Sequence, residues 1–289
     1  MKKYFLFIIS LLLFTSCSNN RQEEKLPTLT VTIEPLRYFT EAIAGDKFKV
    51  VSIVPEGNNP ETYDPTPQQL VALNKSQAYL RIGYIGFEQI WMDKLKANTP
   101  DLKIFDTSKG VALMEGTCSH TDNGHNHSHE GVEPHIWNSV KNARIIADNI
   151  CWALCTLDQA NASYYNHRLD SLNRIFDRTE EEIRRVLPEK GTTFLIYHPA
   201  LSYFARDYGM NQISIEEGGK EPSPAHLQEL IRRCKDENAR IIFVQKEFDT
   251  RNAEIIAKEA GVKIVPINPL NYNWPEEMTG IAKALGNKR

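Results

Sequence analysis

What this sequence most plainly lacks is an excess of positive charge. Lys and Arg number 34 against 37 Asp and Glu, a formal net charge of -3, and no cluster of cations interleaved with aromatics occurs. This argues against a nucleic-acid surface built on phosphate contacts. Cysteine is scarce as well, with five residues in 289, too few for a disulfide framework. Cys151 and Cys155, one helical turn apart, read as buried apolar residues and not as a bridge. No apolar run reaches the roughly 20 residues that a membrane-spanning helix needs. No HExxH helix is present either, which removes the commonest zinc-protease arrangement.

What is there begins with Met1, Lys2 and Lys3, an apolar run over 4–14, and then Thr15, Ser16 and Cys17. A basic start, a short apolar core and small residues before the break mark a signal peptide over 1–16, so the chain is expected to be exported. A Cys directly after the small pair resembles a bacterial lipobox, which implies cleavage before Cys17 and lipid on its thiol. A plain cleaved signal with an incidental Cys is the alternative. Residues 17–27 then read as a lipidated tether.

The remaining roughly 270 residues suit two lobes of ordinary domain size. Strands are expected at 29–33, 48–54, 78–82 and 103–105, alternating with helices from Pro35 to a Gly45 stop, from Pro67, and over 87–95. After a helix whose apolar face is Val140, Ala143, Ile146, Ala147, Ile150 and Leu154, the alternation resumes. Strands fall at 192–197, 212–215, 240–244 and 262–265, with helices from Pro199, from Pro224, over 253–260 and near 276–285. Such alternation calls for parallel sheets with right-handed crossovers. Between the halves, residues 159–187 carry Tyr165, Leu169, Leu172, Phe176, Thr179, Ile183 and Leu187 at helical spacing. This predicts one uninterrupted helix of about 43 Å, capped by Asp158 and stopped by Pro188. It is either a stiff strut between two lobes or a long edge helix of one domain. Internal echoes favour two lobes: "IEPLRYFTEAIAGD" with "YHPALSYFARDYGM", "VSIVPEG" with "ISIEEGG", and "PTPQQLVAL" with "PSPAHLQEL", each roughly 160 residues on.

In open parallel sheets ligands bind beyond the C-terminal ends of strands. Glu61, His135, His198 and Asn268 all follow such ends, two from each half, and their residue types can ligate zinc or a neighbouring divalent metal. Glu216, Glu247 and Asp249 are further candidates. The segment 117–133 holds His120, His125, His127 and His129 among Asp, Asn, Ser and Gly. It reads either as an accessory collector of metal ions or as a solvated stretch with incidental affinity.

At these residues the chain resembles the metal-binding solute-binding lipoproteins of bacterial ABC importers, in particular the zinc-uptake branch. The motifs are "NPETYDPTP", "EPHIW" at 133–137, "YHPALSYFARDYG", "EPSPAHLQEL", "AGVKIVPINPL" and the His-rich loop before His135. The resemblance implies two similar α/β lobes with parallel sheets, residues 28–157 and 189–289, joined by a single long rigid backbone helix over 158–188, with the metal in the interlobe cleft. It implies a monomer that captures zinc, with Mn2+ possible, as cargo for an ABC permease, held through its lipid at the extracytoplasmic or periplasmic face of a bacterial membrane. It implies no catalysis. His135 and His198 match the family pattern unchanged. Glu61 stands where that family usually has His, and Asn268 where it usually has Asp, so Glu61 is expected to supply a carboxylate oxygen and Asn268 to sit behind the ligands. The rival expectation is a zinc hydrolase using the same His2Glu set, or a same-fold carrier of Mn, Fe or a metal chelate.

Overall fold

The computed structural model describes residues 26–116, 131–187 and 191–287. Cys17, Cys118, Pro188 and the histidines at 120, 125, 127 and 129 lie outside these. The first lobe contains β1 (Thr28–Val31), α1 (Glu34–Ala44), β2 (Lys49–Ser52), α2 (Pro67–Asn74), β3 (Ala78–Arg81), α3 (Gly86–Asn98) and β4 (Lys103–Asp106). Then come α4 (Val140–Leu157) and α5 (Ala162–Val186). The second lobe contains β5 (Thr193–Ile196), α6 (Ser202–Tyr208), β6 (Asn211–Ser214), α7 (Pro224–Asp236), β7 (Ile241–Gln245), α8 (Arg251–Ala260), β8 (Lys263–Ile267) and α9 (Trp274–Gly286).

Local sequence explains most of these boundaries. Pro67 and Pro224 open α2 and α7, where a missing N–H costs nothing because that donor has no partner inside the helix. Thr66 and Ser223 cap the same two helices by accepting from the backbone of Gln69 and His226. Gly45 ends α1 at φ 59°, a left-handed backbone that a side chain would resist. Each lobe is a four-stranded parallel sheet, in the order β2-β1-β3-β4 and β6-β5-β7-β8. The repeat read from the sequence is therefore a repeat of topology. The central strands are largely buried, with Leu29, Val31, Leu80, Phe194, Ile196 and Phe243 fully so, because helices cover the sheets.

Two expectations are corrected. Residues 159–161 form a 3-10 turn ahead of α5, so the helix has 25 residues and is about 37 Å long. Asp158 does not cap it: its carboxylate accepts from the Tyr165 hydroxyl at 2.6 Å and from the Asn161 amide at 2.7 Å. The helix expected from Pro199 begins at Ser202, since residues 198–201 turn sharply, with Ala200 N–H bonded to His198 O at 2.7 Å. Among the described residues, Cys151, Cys155 and Cys234 carry no disulfide.

The lobes are held together by α5, which packs against α1, α4 and α9, and by the segment from Gly131 to Ser139. Tyr203 donates to the Glu133 carbonyl at 2.9 Å, Asn138 to the Ala200 carbonyl at 2.9 Å, and Ser139 to Asp207. The Trp137 indole donates to Pro269 O and the Trp274 indole to Trp137 O, both at 2.8 Å. Phe39, Phe176 and Trp274 meet edge to face with ring centroids 5.2–5.5 Å apart. One continuous apolar core thus runs through both lobes. A buried seam of this kind holds the two sheet ends in a fixed relation, unlike the wet interfaces of mobile domains.

Candidate metal centre

His135 and His198 are brought together at the seam between the lobes. Their Nε2 atoms stand 3.1 Å apart and their ring planes cross at 74°. Each ring is fixed from behind by a buried carboxylate. The backbone N–H and Nδ1 of His135 both bond Glu133 Oε1, whose other oxygen accepts from Ser202. Nδ1 of His198 donates to Glu216 Oε1 at 2.7 Å. His198 is also stacked on Phe248 at 5.1 Å, and its backbone N–H and carbonyl are both bonded by the Gln245 amide.

Carboxylates accept, so each Nδ1 carries the proton and each Nε2 is left with a lone pair. Two lone pairs 3.1 Å apart repel unless a cation lies between them. A zinc ion bound tetrahedrally by both nitrogens would hold them roughly 3.3–3.4 Å apart, so the pair needs to part by only a few tenths of an ångström. Without a metal a proton can fill the place. Burial opposes charge on His135, but the charge and hydrogen bond of Glu133, with the charges of Glu61 and Glu216, outweigh it and lift its pKa above the ordinary value. The pair opens on a small cavity of about 30 Å³, lined also by Asn59, Pro60, Trp137, Gln245, Glu247 and Phe248.

Residues 29–285 match the family model described as zinc-uptake complex component A, periplasmic (ZnuA). The chain belongs to this family. The zinc-binding lipoprotein AdcA of Streptococcus pneumoniae is 28% identical over 301 residues, covering 96% of this chain and 57% of AdcA. The chain therefore spans little more than half the length of that relative. A crystal structure of ZnuA superposes with a TM-score of 0.82 at 35% identity, covering 91% of this chain and 98% of that one. FpvC of Pseudomonas aeruginosa in complex with Mn2+ gives a TM-score of 0.76 at 23% identity over 90% of this chain and 96% of FpvC, a likeness of fold.

The other residues expected at a ZnuA-type site are placed differently. Glu61 lies in the loop after β2, its backbone N–H bonded to Asn59 and its Oε2 accepting from Gly86 N–H at 2.8 Å. Its Oε1 is buried with no hydrogen-bond partner among the described residues. Gly86 is required there, since a Cβ would strike the Glu61 carbonyl and stand 2.9 Å from Oε2. Asn268 is turned to its own loop, its Oδ1 accepting from Leu270 N–H at 3.2 Å. Asp249 is exposed and paired with Arg251, Glu216 is engaged by His198, and Glu247 lines the cavity. Among the described residues, no third His, Cys, Asp or Glu is close enough to the pair to complete a three-donor cage. Sequence reasoning missed Glu133 as the partner of His135, although a carboxylate two residues before a histidine was a usable signal. It also missed Phe248 and Gln245, for which no local signal exists.

Proposed function

We propose that this chain is an extracytoplasmic receptor, tethered by lipid on Cys17, that captures a divalent metal and delivers it to an ABC permease. One observation carries the reading: two imidazole nitrogens face each other across the lobe seam, each oriented by a buried carboxylate. His135 and His198 are the proposed ligands from the two lobes. Glu61 is the proposed third, because its charge acts on His135 and, among the described residues, one of its carboxylate oxygens is held while the other is buried without a partner. Movement of these side chains around the ion closes the set. Asn268 supports its loop behind the ligands. Two imidazoles and one carboxylate favour zinc, while manganese prefers more oxygen donors in octahedral geometry. The zinc-binding AdcA and ZnuA relatives point the same way. The protein acts as a monomer, by binding and release, with no bond made or broken; the hydrolase reading gains nothing from the site or from these relatives. The functional units are residues 28–157, 158–188 and 189–289.

Metal analysis of the purified protein, followed by zinc calorimetry, tests this: one tight zinc per chain is expected. Glu61→Gln keeps the bond to Gly86 but presents a weaker donor, and should lower zinc affinity by about ten- to a hundredfold. Glu61→His should retain zinc and lose manganese. A Gln variant that binds like the parent would remove Glu61 from the ligand set. The histidines at 120, 125, 127 and 129 are proposed as an accessory collector, since HxH spacing lets two imidazoles reach one ion. Deleting residues 119–130 should remove a weak class of sites and keep the tight one. Loss of the tight site in calorimetry would assign the loop a direct ligand.

A further inference from the structure

Glu88 is fully buried in the first turn of α3, yet no cationic side chain bonds it among the described residues. Its carboxylate accepts from Ile82 N–H at 2.9 Å, from Gly83 N–H, and from the Thr32 hydroxyl, which is itself bonded to the Tyr79 hydroxyl at 2.7 Å. Burying a carboxylate is costly even when its oxygens are satisfied, and burial lifts Glu88 to about 7 against the pull of these bonds. An apolar side chain would fill the space with less penalty. What it could not do is hold two successive N–H groups where the chain leaves β3.

Those two N–H groups start the loop that ends at Gly86. Gln89 closes the loop from its other side by donating to the Gly83 carbonyl at 2.6 Å. At its far end Gly86 N–H holds Glu61 Oε2, and Phe87 N–H bonds the Pro60 carbonyl at 3.0 Å. The loop is thus gripped by Glu88 at one end and grips the Pro60–Glu61 segment at the other.

We propose that Glu88 is a positioning residue of the metal site: by clamping residues 82–83 it fixes Gly86 N–H, and through it the direction of the Glu61 carboxylate. The inference deepens the function proposed above and rests on Glu61 as a ligand. Glu88→Gln keeps the volume but turns an N–H2 toward the backbone N–H of either Ile82 or Gly83, so one clamp fails without a cavity.

The test is a double-mutant cycle read by zinc titration against a competing chelator, using the parent, Glu88→Gln, Glu61→Gln and the double variant. Glu88→Gln should cost about tenfold in zinc affinity in the parent and less than about twofold in the Glu61→Gln background. Equal losses in both backgrounds would show a general structural role and overturn the inference, as would a Glu88→Gln variant that binds like the parent. A parent-like Glu61→Gln would instead overturn the ligand assignment and this inference with it, so the two failures are told apart by the single variants. Circular dichroism establishes that each variant is folded. If Glu88→Gln is not, Gly86→Ala takes its place in the cycle, since its Cβ displaces Glu61 from the other end of the same loop, and the same pattern is expected.

Discussion

His198→Ala should weaken zinc binding by about a hundred- to a thousandfold. Structural zinc sites are worth roughly 10–16 kcal/mol over four ligands, so one ligand carries about 2.5–4 kcal/mol. The loss is compounded because His198 does three things at once. It offers Nε2 to the seam, it satisfies the buried Glu216 through Nδ1, and it fills the space against Phe248. His135→Ala should match it, leaving Glu133 buried without its main partner. His226→Ala is the control, since among the described residues this histidine bonds neither His135 nor His198: its ring pairs with Glu217 at 3.6 Å and its backbone N–H with Ser223. Competition titrations should show the two seam variants collapsing and the control unchanged. A seam variant with parental affinity would refute the site.

Trp274→Ala should destabilise the fold by about 3–5 kcal/mol, the largest single loss of stability expected in this chain. The side chain is 1% exposed and packs against Phe39 and Phe176, so its removal opens a cavity on the seam between the lobes. It also leaves the Trp137 carbonyl without its donor, at a residue that lines the metal cavity and adjoins His135. Zinc affinity should therefore fall alongside stability. Trp152→Ala is the comparison. That indole is 57% exposed, touches Phe105 at one edge, and should cost no more than about 0.5–1 kcal/mol. Urea unfolding of both variants measures the difference. Equal costs would mean that the Trp137–Trp274 latch does not hold the lobes.

Much of the fold was legible because its signals are local. Pro67 and Pro224 at helix starts, Gly45 at a helix end and the alternation of apolar strands with amphipathic helices need only neighbouring residues to act. The echo between the halves was legible for the same reason, since equal local signals in equal order build equal lobes. Errors arose where a side chain had a competing partner. Asp158 looked like a cap, but Tyr165 and Asn161 bond its carboxylate. The helix expected from Pro199 was delayed because residues 198–201 are shaped to present His198.

The candidate site divides along the same line. The sequence by itself determined which residues could serve: two histidines and a glutamate beyond strand ends, and a histidine-rich segment. Only the tertiary structure decided that His135 and His198, 63 positions apart, meet at 3.1 Å. It also decided that Glu133 and Glu216 stand behind them and not between them, that Asn268 turns to its own loop, and that Glu88 is buried. The physical reason is that a residue's chemistry and its neighbours in the chain are written in the sequence, whereas which carboxylate is desolvated, and against which donor, depends on contacts between distant segments that exist only once both sheets have packed against the seam.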